Sequence, residues 1–183
     1  MKYILLFISI STILLSSTIN ESLLKIHATI VPKILLMDYD FKKKIINKII
    51  KIAIVYENND YKEALLLKRM IEQKYQDGLK SYDISLTLLP YTKTKDSKIK
   101  ANLYYIFPSN VKNIQIAINK AKNSKALTFS YQKENLQNGV MSSVDIGSRV
   151  KPILNLEAVK MNNITFRPLL LKISLIYSQK VGS

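Results

Sequence analysis

The segment Ile49–Tyr56 reads IIKIAIVY and constrains this chain more than any other stretch. It is almost wholly apolar and β-branched, the pattern of a strand buried on both faces. Such a strand needs a layer of helices on each side, so the run calls for an α/β fold. The following segments supply those layers. Glu57-Asn58-Asn59 turns into a helix expected over Asp60–Asp77, with Tyr61, Ala64, Leu65, Lys68, Ile71 and Tyr75 along one face. Asp60 and Glu63 have capping-box spacing, and Gly78 is the stop signal. Asp83–Pro90 reads as a second strand, and 91–100 as a polar surface connection. Asn102–Phe107 is a third strand, and Pro108-Ser109-Asn110 opens a helix carrying Val111, Ile114, Ile118 and Ala121. Ala126–Ser130 is a short fourth strand. Strands alternating with helices imply crossover connections and a mainly parallel sheet.

The two ends of this pattern differ from its middle. Asn20 to about Met37 reads as a helix on Leu23, Ile26, Ile30 and Ile34, which Pro32 is expected to kink or interrupt. After the fourth strand, Val140–Ile146 and Arg149–Leu154 flank Gly147-Ser148, a two-residue hairpin signal of the glycine-first type. Pro152 places the second of these strands at an edge or end of the sheet. Pro168–Tyr177 is short and apolar nearly all round, so a buried closing helix is expected. The expected fold class is α/β: a small mainly parallel sheet with helices on its faces, a C-terminal β-hairpin and a closing helix. It forms one domain over residues 20–183.

Residues 1–19 have the form of a Sec signal peptide. Met1-Lys2 is a charged start, Tyr3–Leu15 is a mostly apolar run, and Ser16, Ser17 and Thr18 are small. The apolar run is shorter than a spanning helix needs. An uncleaved anchor is the other reading, because the small-residue site is imperfect. Export to the periplasm is the expectation. The absence of cysteine excludes a lipoprotein, disulfides, thiol nucleophiles and cysteine zinc sites.

The net charge of +15 invites a nucleic-acid or membrane-surface reading. The 28 basic residues, however, include only Arg69, Arg149 and Arg167 as arginines. Bidentate phosphate and base contacts lean on Arg, and the lysines are spread along the chain. Abundant Lys, Asn and Ile match the codon usage of an AT-rich genome. No nucleic-acid partner is therefore expected, and adhesion to anionic lipid or cell-wall polymer is a third-ranked role.

Motifs of chemistry are missing. The turn Tyr56–Asp60 holds no glycine where a dinucleotide fingerprint would need one. GxxxxGK[ST], GxSxG and HExxH are absent as well. The single histidine, His27, has no triad partner in the sequence and reads as a packed or surface residue. Asp38 and Asp40 stand close enough to share a cation, but in a lysine-rich stretch they read as a solvated turn. No catalytic residue, metal site or cofactor is expected.

One constellation follows from topology. Ligands of open parallel sheets bind beyond the carboxyl ends of the strands. Glu57, Asn58, Asn59, Ser109, Asn110, Ser130 and Tyr131 stand there and form the candidate ligand crevice. The competing reading is that each caps its own helix.

The stretch Ala126–Tyr177 also resembles the YfiR-like family of periplasmic proteins. The likeness rests on Leu127-Thr128-Phe129-Ser130, Asn138-Gly139-Val140-Met141, Val150–Asn155 with Ala158, then Asn163-Ile164 and Leu169-Leu170-Leu171. Leu24-Lys25 and the strand at Ile52–Tyr56 agree more loosely. Asn138-Gly139 stands for the family's Gly-Gly, Leu154-Asn155 for Ile-Asn, and Arg167-Pro168 for a usual serine. The cysteines of some members are missing, so redox control does not carry over. The resemblance implies a compact α/β sandwich that restrains an inner-membrane sensor, a diguanylate cyclase or histidine kinase, and so affects cyclic-di-GMP signalling and biofilm formation. It transfers no catalytic residues. The alternative is a small-ligand (solute) binding protein of a transporter. Gly147, Ser148, Arg149, Pro152 and Leu175 are the candidate interface, with the sensor or in a homodimer. Equally, the first helix could pack there and complete the core.

Overall fold

The computed structural model describes residues 19–178. The leader expected over residues 1–19 lies outside them, apart from Ile19. Among the described residues, no helix is long and apolar enough to cross a membrane.

Strand β1 (Ile49–Tyr56) sits inside the sheet as expected, paired in parallel with β2 (Asp83–Pro90) and β3 (Leu103–Ile106). The sheet has seven strands in the order β2-β1-β3-β4-β5-β6-β7. Here β4 is Leu127–Ser130, β5 Ser142–Ile146, β6 Val150–Leu154 and β7 Leu175–Ile176. Only the β5–β6 pair is antiparallel. The architecture is thus α/β with a mostly parallel sheet and a hairpin near its C-terminal side.

Alternation along β1 and β3 divides the core into two layers, because successive side chains point to opposite faces. Ile50, Ile52, Ile54, Leu103, Tyr105 and Phe107 face helices α1 (Glu21–Leu35) and α3 (Tyr61–Lys74). Ala53, Val55, Tyr104 and Ile106 face α5 (Val111–Asn123). The short helix α2 (Phe41–Lys44) precedes β1 and buries Phe41 against Tyr82. Helix α4 (Tyr91–Thr94) follows β2, so the expected polar connection 91–100 begins instead with a turn that buries Tyr91 and Thr94. The Tyr91 hydroxyl donates to the Phe107 carbonyl at 2.8 Å, which fastens this turn to the end of β3.

Several local expectations are corrected. Helix α1 runs through Pro32 and ends at Leu35, capped at its start by the Asn20 side chain. Pro32 forfeits a single bond, to the Ala28 carbonyl, and its ring is buried in the core. The Asp60–Glu63 capping box is not made. Residues Asn58–Asp60 form a tight 3-10 turn, and the Asp60 side chain bonds to no helix amide. The hairpin turn is three residues, Gly147–Arg149, with Ile146 paired to Val150. Gly147 does not take the positive φ that a glycine-first two-residue turn requires.

Pro152 lies within β6 opposite Val144. β7 pairs only with Ile153 and Leu154, so Pro152 faces a part of the sheet where β6 is the outer strand. The expected buried closing helix shrinks to α7 (Pro168–Ile173), with Leu170 its only buried residue. Leu175 belongs to strand β7, not to a helix. Ahead of it, α6 (Leu156–Met161) is capped by Asn155, and the 164–166 segment buries Ile164 and Phe166. Arg167 N–H donates to Met37 O, and Tyr39 N–H to Thr165 O, each at 2.8 Å. These bonds tie the C-terminal segment to the end of α1.

Helix α3 ends at Lys74, three residues before the expected end at Asp77, and Gly78 lies in the turn beyond it with φ +78°, where a Cβ would stand 2.6 Å from the Tyr82 carbonyl oxygen. Both the dihedral and the backbone contact oppose any side chain. Gly78→Ala is therefore expected to lower the unfolding free energy by about 1–3 kcal/mol, read as a lower midpoint in urea at unchanged slope. A midpoint equal to that of the parent protein would contradict this account.

Candidate functional site

Parallel strands bring the turns after β1 and β3 together at one end of the sheet, and Glu57 and Ser109 meet there. Glu57 Oε1 accepts from Ser109 Oγ and, at 2.8 Å, from Asn113 Nδ2. Asn113 Nδ2 also lies 3.1 Å from Ser109 Oγ. Asn110 caps α5 by accepting from the Asn113 amide at 3.0 Å. Asn113, one turn inside α5, is the member of this network that sequence reasoning missed. Its signal is its third position in the helix, which directs a polar side chain back over the strand ends.

Asp60 and Glu63 stand beside Glu57. Burial, and then the charges of Glu63 and Glu57, hold the Asp60 carboxyl above its ordinary range. One buried carboxylate oxygen of Glu63, Oε2, has no hydrogen-bond partner. Burial and the charges of Glu57 and Asp60 push the Tyr91 phenol up in the same way. The Tyr56 and Tyr61 rings lie 5.9 Å apart at the same rim. A protein of net charge +15 thus carries a carboxylate-rich rim, with Glu57 oriented by two neutral donors. This arrangement can accept hydrogen bonds from a ligand N–H or ammonium group.

The remaining crevice candidates do not join that network. Asn58 and Asn59 are exposed in the 3-10 turn. Ser130 is buried, and its Oγ accepts from Asn135 Nδ2 at 2.9 Å and from Gln132 N at 3.2 Å. It therefore pins the loop after β4. Tyr131 points to the α1 side, where its hydroxyl accepts from the Asn20 amide at 2.8 Å and its ring stacks 5.9 Å from Phe107. Asp38 and Asp40 hold lysines, Asp38 with Lys44 at 2.5 Å and Asp40 with Lys43 at 2.7 Å. Among the described residues, no three acidic or histidine side chains cluster as they would around a metal ion.

A second concavity, of about 310 Å³, lies between α5, the 3-10 turn Lys133–Asn138 and α6. Asn155 braces it, accepting from the Ala158 amide at 2.9 Å and donating to the Leu136 carbonyl at 2.8 Å. Gln115 Nε2 donates to the Asn138 carbonyl at 2.6 Å. Sequence reasoning did not find this cleft. Gln115 and Asn119, four apart on α5, were the only sign of a polar strip beside its apolar face.

His27 sits in neither concavity. It is fully buried under α1, with its ring 5.1 Å from Phe129 and 5.6 Å from Tyr131. Nδ1 lies 2.6 Å from the Tyr105 hydroxyl, while Nε2 has no hydrogen-bond partner. Burial lowers the imidazole pKa from 6.5 to about 3. The unfolded chain therefore takes up a proton below pH 6.5 that the folded chain refuses until about pH 3. Stability is insensitive to His27 above neutrality and falls as pH drops through that window, by up to about 1.4 kcal/mol per pH unit. His27→Leu is expected to show a shallower loss between pH 6 and pH 4 in urea unfolding, by up to about 1.4 kcal/mol per unit. Identical slopes for both proteins would refute the assignment.

No protein-family model and no curated protein sequence matches this chain. Solved structures do match. One is a conserved domain protein from Vibrio cholerae, with TM-score 0.58 and 13% identity over 85% of this chain. Another is the ABC domain in complex with L-Trp from Streptococcus pneumoniae, with TM-score 0.51 and 12% identity over 79% of this chain. This chain spans 60% of the length of each. At these identities the likeness is one of fold alone.

Proposed function

We propose that the protein is exported and binds a small solute at the carboxyl ends of β1 and β3. The observation that carries this reading is the oriented carboxylate of Glu57, held by Ser109 and Asn113 where two strand-end turns meet. The fold shared with a domain solved in complex with L-Trp supports it. Carboxylates at the rim favour a ligand with an ammonium group, and the exposed Tyr61 ring offers it an aromatic face. The role is capture, with no catalysis assigned to these residues.

Thermal shift against the amino acids, including L-Trp, and against aliphatic amines tests the reading. A ligand at about 100 times its Kd adds about 2.7 kcal/mol of apparent stability. That is about 5–10 °C in Tm for a chain of this size. Glu57→Gln should abolish the shift while the unliganded protein melts within a few degrees of the parent. A shift that survives Glu57→Gln, or none with any of these probes, counts against the strand-end site.

A second reading, restraint of an inner-membrane sensor as in the YfiR-like proteins, has one observation in its favour. Leu169, Leu171, Ile173, Leu175 and Ile176 are all exposed along α7 and β7 at the edge of the sheet, next to the Gly147–Arg149 turn and the Pro152 strand. Leu175 is 37% exposed, so Leu175→Glu should fold with a stability change within about 0.5 kcal/mol. On this reading the variant loses self-association in sedimentation, or crosslinking to a membrane sensor. Unaltered assembly in a folded variant would remove the interface from this edge.

A further inference from the structure

The cleft between α5 and α6 differs in chemistry from the carboxylate rim and from the lysine-rich surface. Its polar lining is dominated by the amides Gln115, Asn119, Gln137, Asn138 and Asn162. The only charged side chains among its lining residues are Lys122 and Glu157, one of each sign. In a protein of net charge +15, this concavity carries no net formal charge. Tyr177, Ile118 and Met161 add apolar surface, and Met161 is 64% exposed.

One polar atom in the lining is unsatisfied. Asn162 Nδ2 donates to the Ala158 carbonyl at 2.7 Å, which fixes the amide plane, while its Oδ1 is buried and has no partner. Such an acceptor is satisfied by an ordered water or by the donor of a ligand that replaces it. An aliphatic ligand would leave it unpaired, and an anion would set its own acceptors against it. Each side-chain amide offers both donors and an acceptor, a match for hydroxyl groups that do the same. The cleft volume of about 310 Å³ suits a small ligand.

We infer that the cleft between α5 and α6 is a binding site for a neutral saccharide, held by the side-chain amides of Asn119, Gln137 and Asn162 with Tyr177 against a sugar face. This site is separate from the strand-end rim, and its occupancy does not depend on Glu57.

Calorimetric titration and saturation-transfer NMR with maltose, cellobiose and N,N′-diacetylchitobiose test the inference. Glucosamine and glucose 6-phosphate serve as charged comparisons. At least one neutral disaccharide should bind, about tenfold more tightly than either charged sugar. Asn119→Ala combined with Gln137→Ala should weaken that binding by about tenfold or more. Both residues are exposed, so the fold should be retained. Asn162→Leu should weaken it likewise, and Glu57→Gln should leave it unchanged. The inference is overturned if no neutral disaccharide binds at millimolar concentration. Equal binding of a charged sugar, indifference to the amide substitutions, or loss with Glu57→Gln would overturn it too, the last assigning the sugar to the strand-end rim.

Discussion

Burial of β1 and β3 on both faces is the constraint on which the rest of the structure depends. Ile50, Ile52, Ile54 and Tyr105 are buried against one helical layer, and Ala53, Val55, Tyr104 and Ile106 against the other. A strand with two apolar faces has no solvated side, so both layers must be present before either strand is stable. Three aromatic rings, Tyr105, Phe107 and Phe129, lie in the α1–α3 layer, and Ala53, Ala117 and Ala121 lie in the α5 layer beside Tyr104. Helix α5 packs on its side through Ile114, Ala117, Ile118 and Ala121, while α1 brings His27 against Tyr105 and Phe129.

The aromatic side contains a buried ionisable group, His27, that finds only half of its hydrogen bonds. If Tyr105 donates to His27 Nδ1, an Nε2–H is left without an acceptor. If His27 donates instead, the Tyr105 proton and the Nε2 lone pair are both left over. Either arrangement costs about 1–3 kcal/mol relative to full satisfaction. The surrounding rings of Phe129 and Tyr131 meet the imidazole edge to face, a geometry in which a ring can accept a weak N–H contact. The pair therefore works as a packing residue with a fixed neutral state. Its pH sensitivity belongs to folding.

Legibility followed periodicity. β1 and β2 were readable to the residue, because apolar runs bounded by turn residues leave little freedom in strand ends. The α5 cap was readable for the same reason, with Pro108-Ser109-Asn110 immediately before an apolar stripe. Failures fell where tertiary bonds outweigh local chemistry. The apolar sequence Pro168–Tyr177 promised burial, yet Leu154 O accepts the Tyr177 amide at 2.8 Å and draws its end into a strand. Asp60 has the spacing of a cap, but it is the last residue of a 3-10 turn and its carboxyl bonds to no helix amide. Of the crevice candidates, Glu57 and Ser109 came together because parallel topology alone puts them at one end. Ser130 and Tyr131 did not, because strand alternation sends neighbouring side chains to opposite faces. Asn113 and the cleft amides had no motif, since a polar residue beside an apolar stripe looks like ordinary solvated surface.

The two concavities arise from different structural devices. The strand-end rim is built where two parallel crossovers start, so its residues sit on short turns locked by Asn110, Ser109 and the Tyr91 hydroxyl. The lateral cleft is built where the sheet changes from parallel to antiparallel at β5–β6. That change sends the chain back down the sheet, and Asn155 then starts α6 beside the turn after β4 instead of over the sheet centre. A wholly parallel continuation would need another crossover helix at that point, which would cover the ground the cleft now occupies. The hairpin therefore brings α6 alongside the turn after β4, and the cleft lies between these two elements and α5.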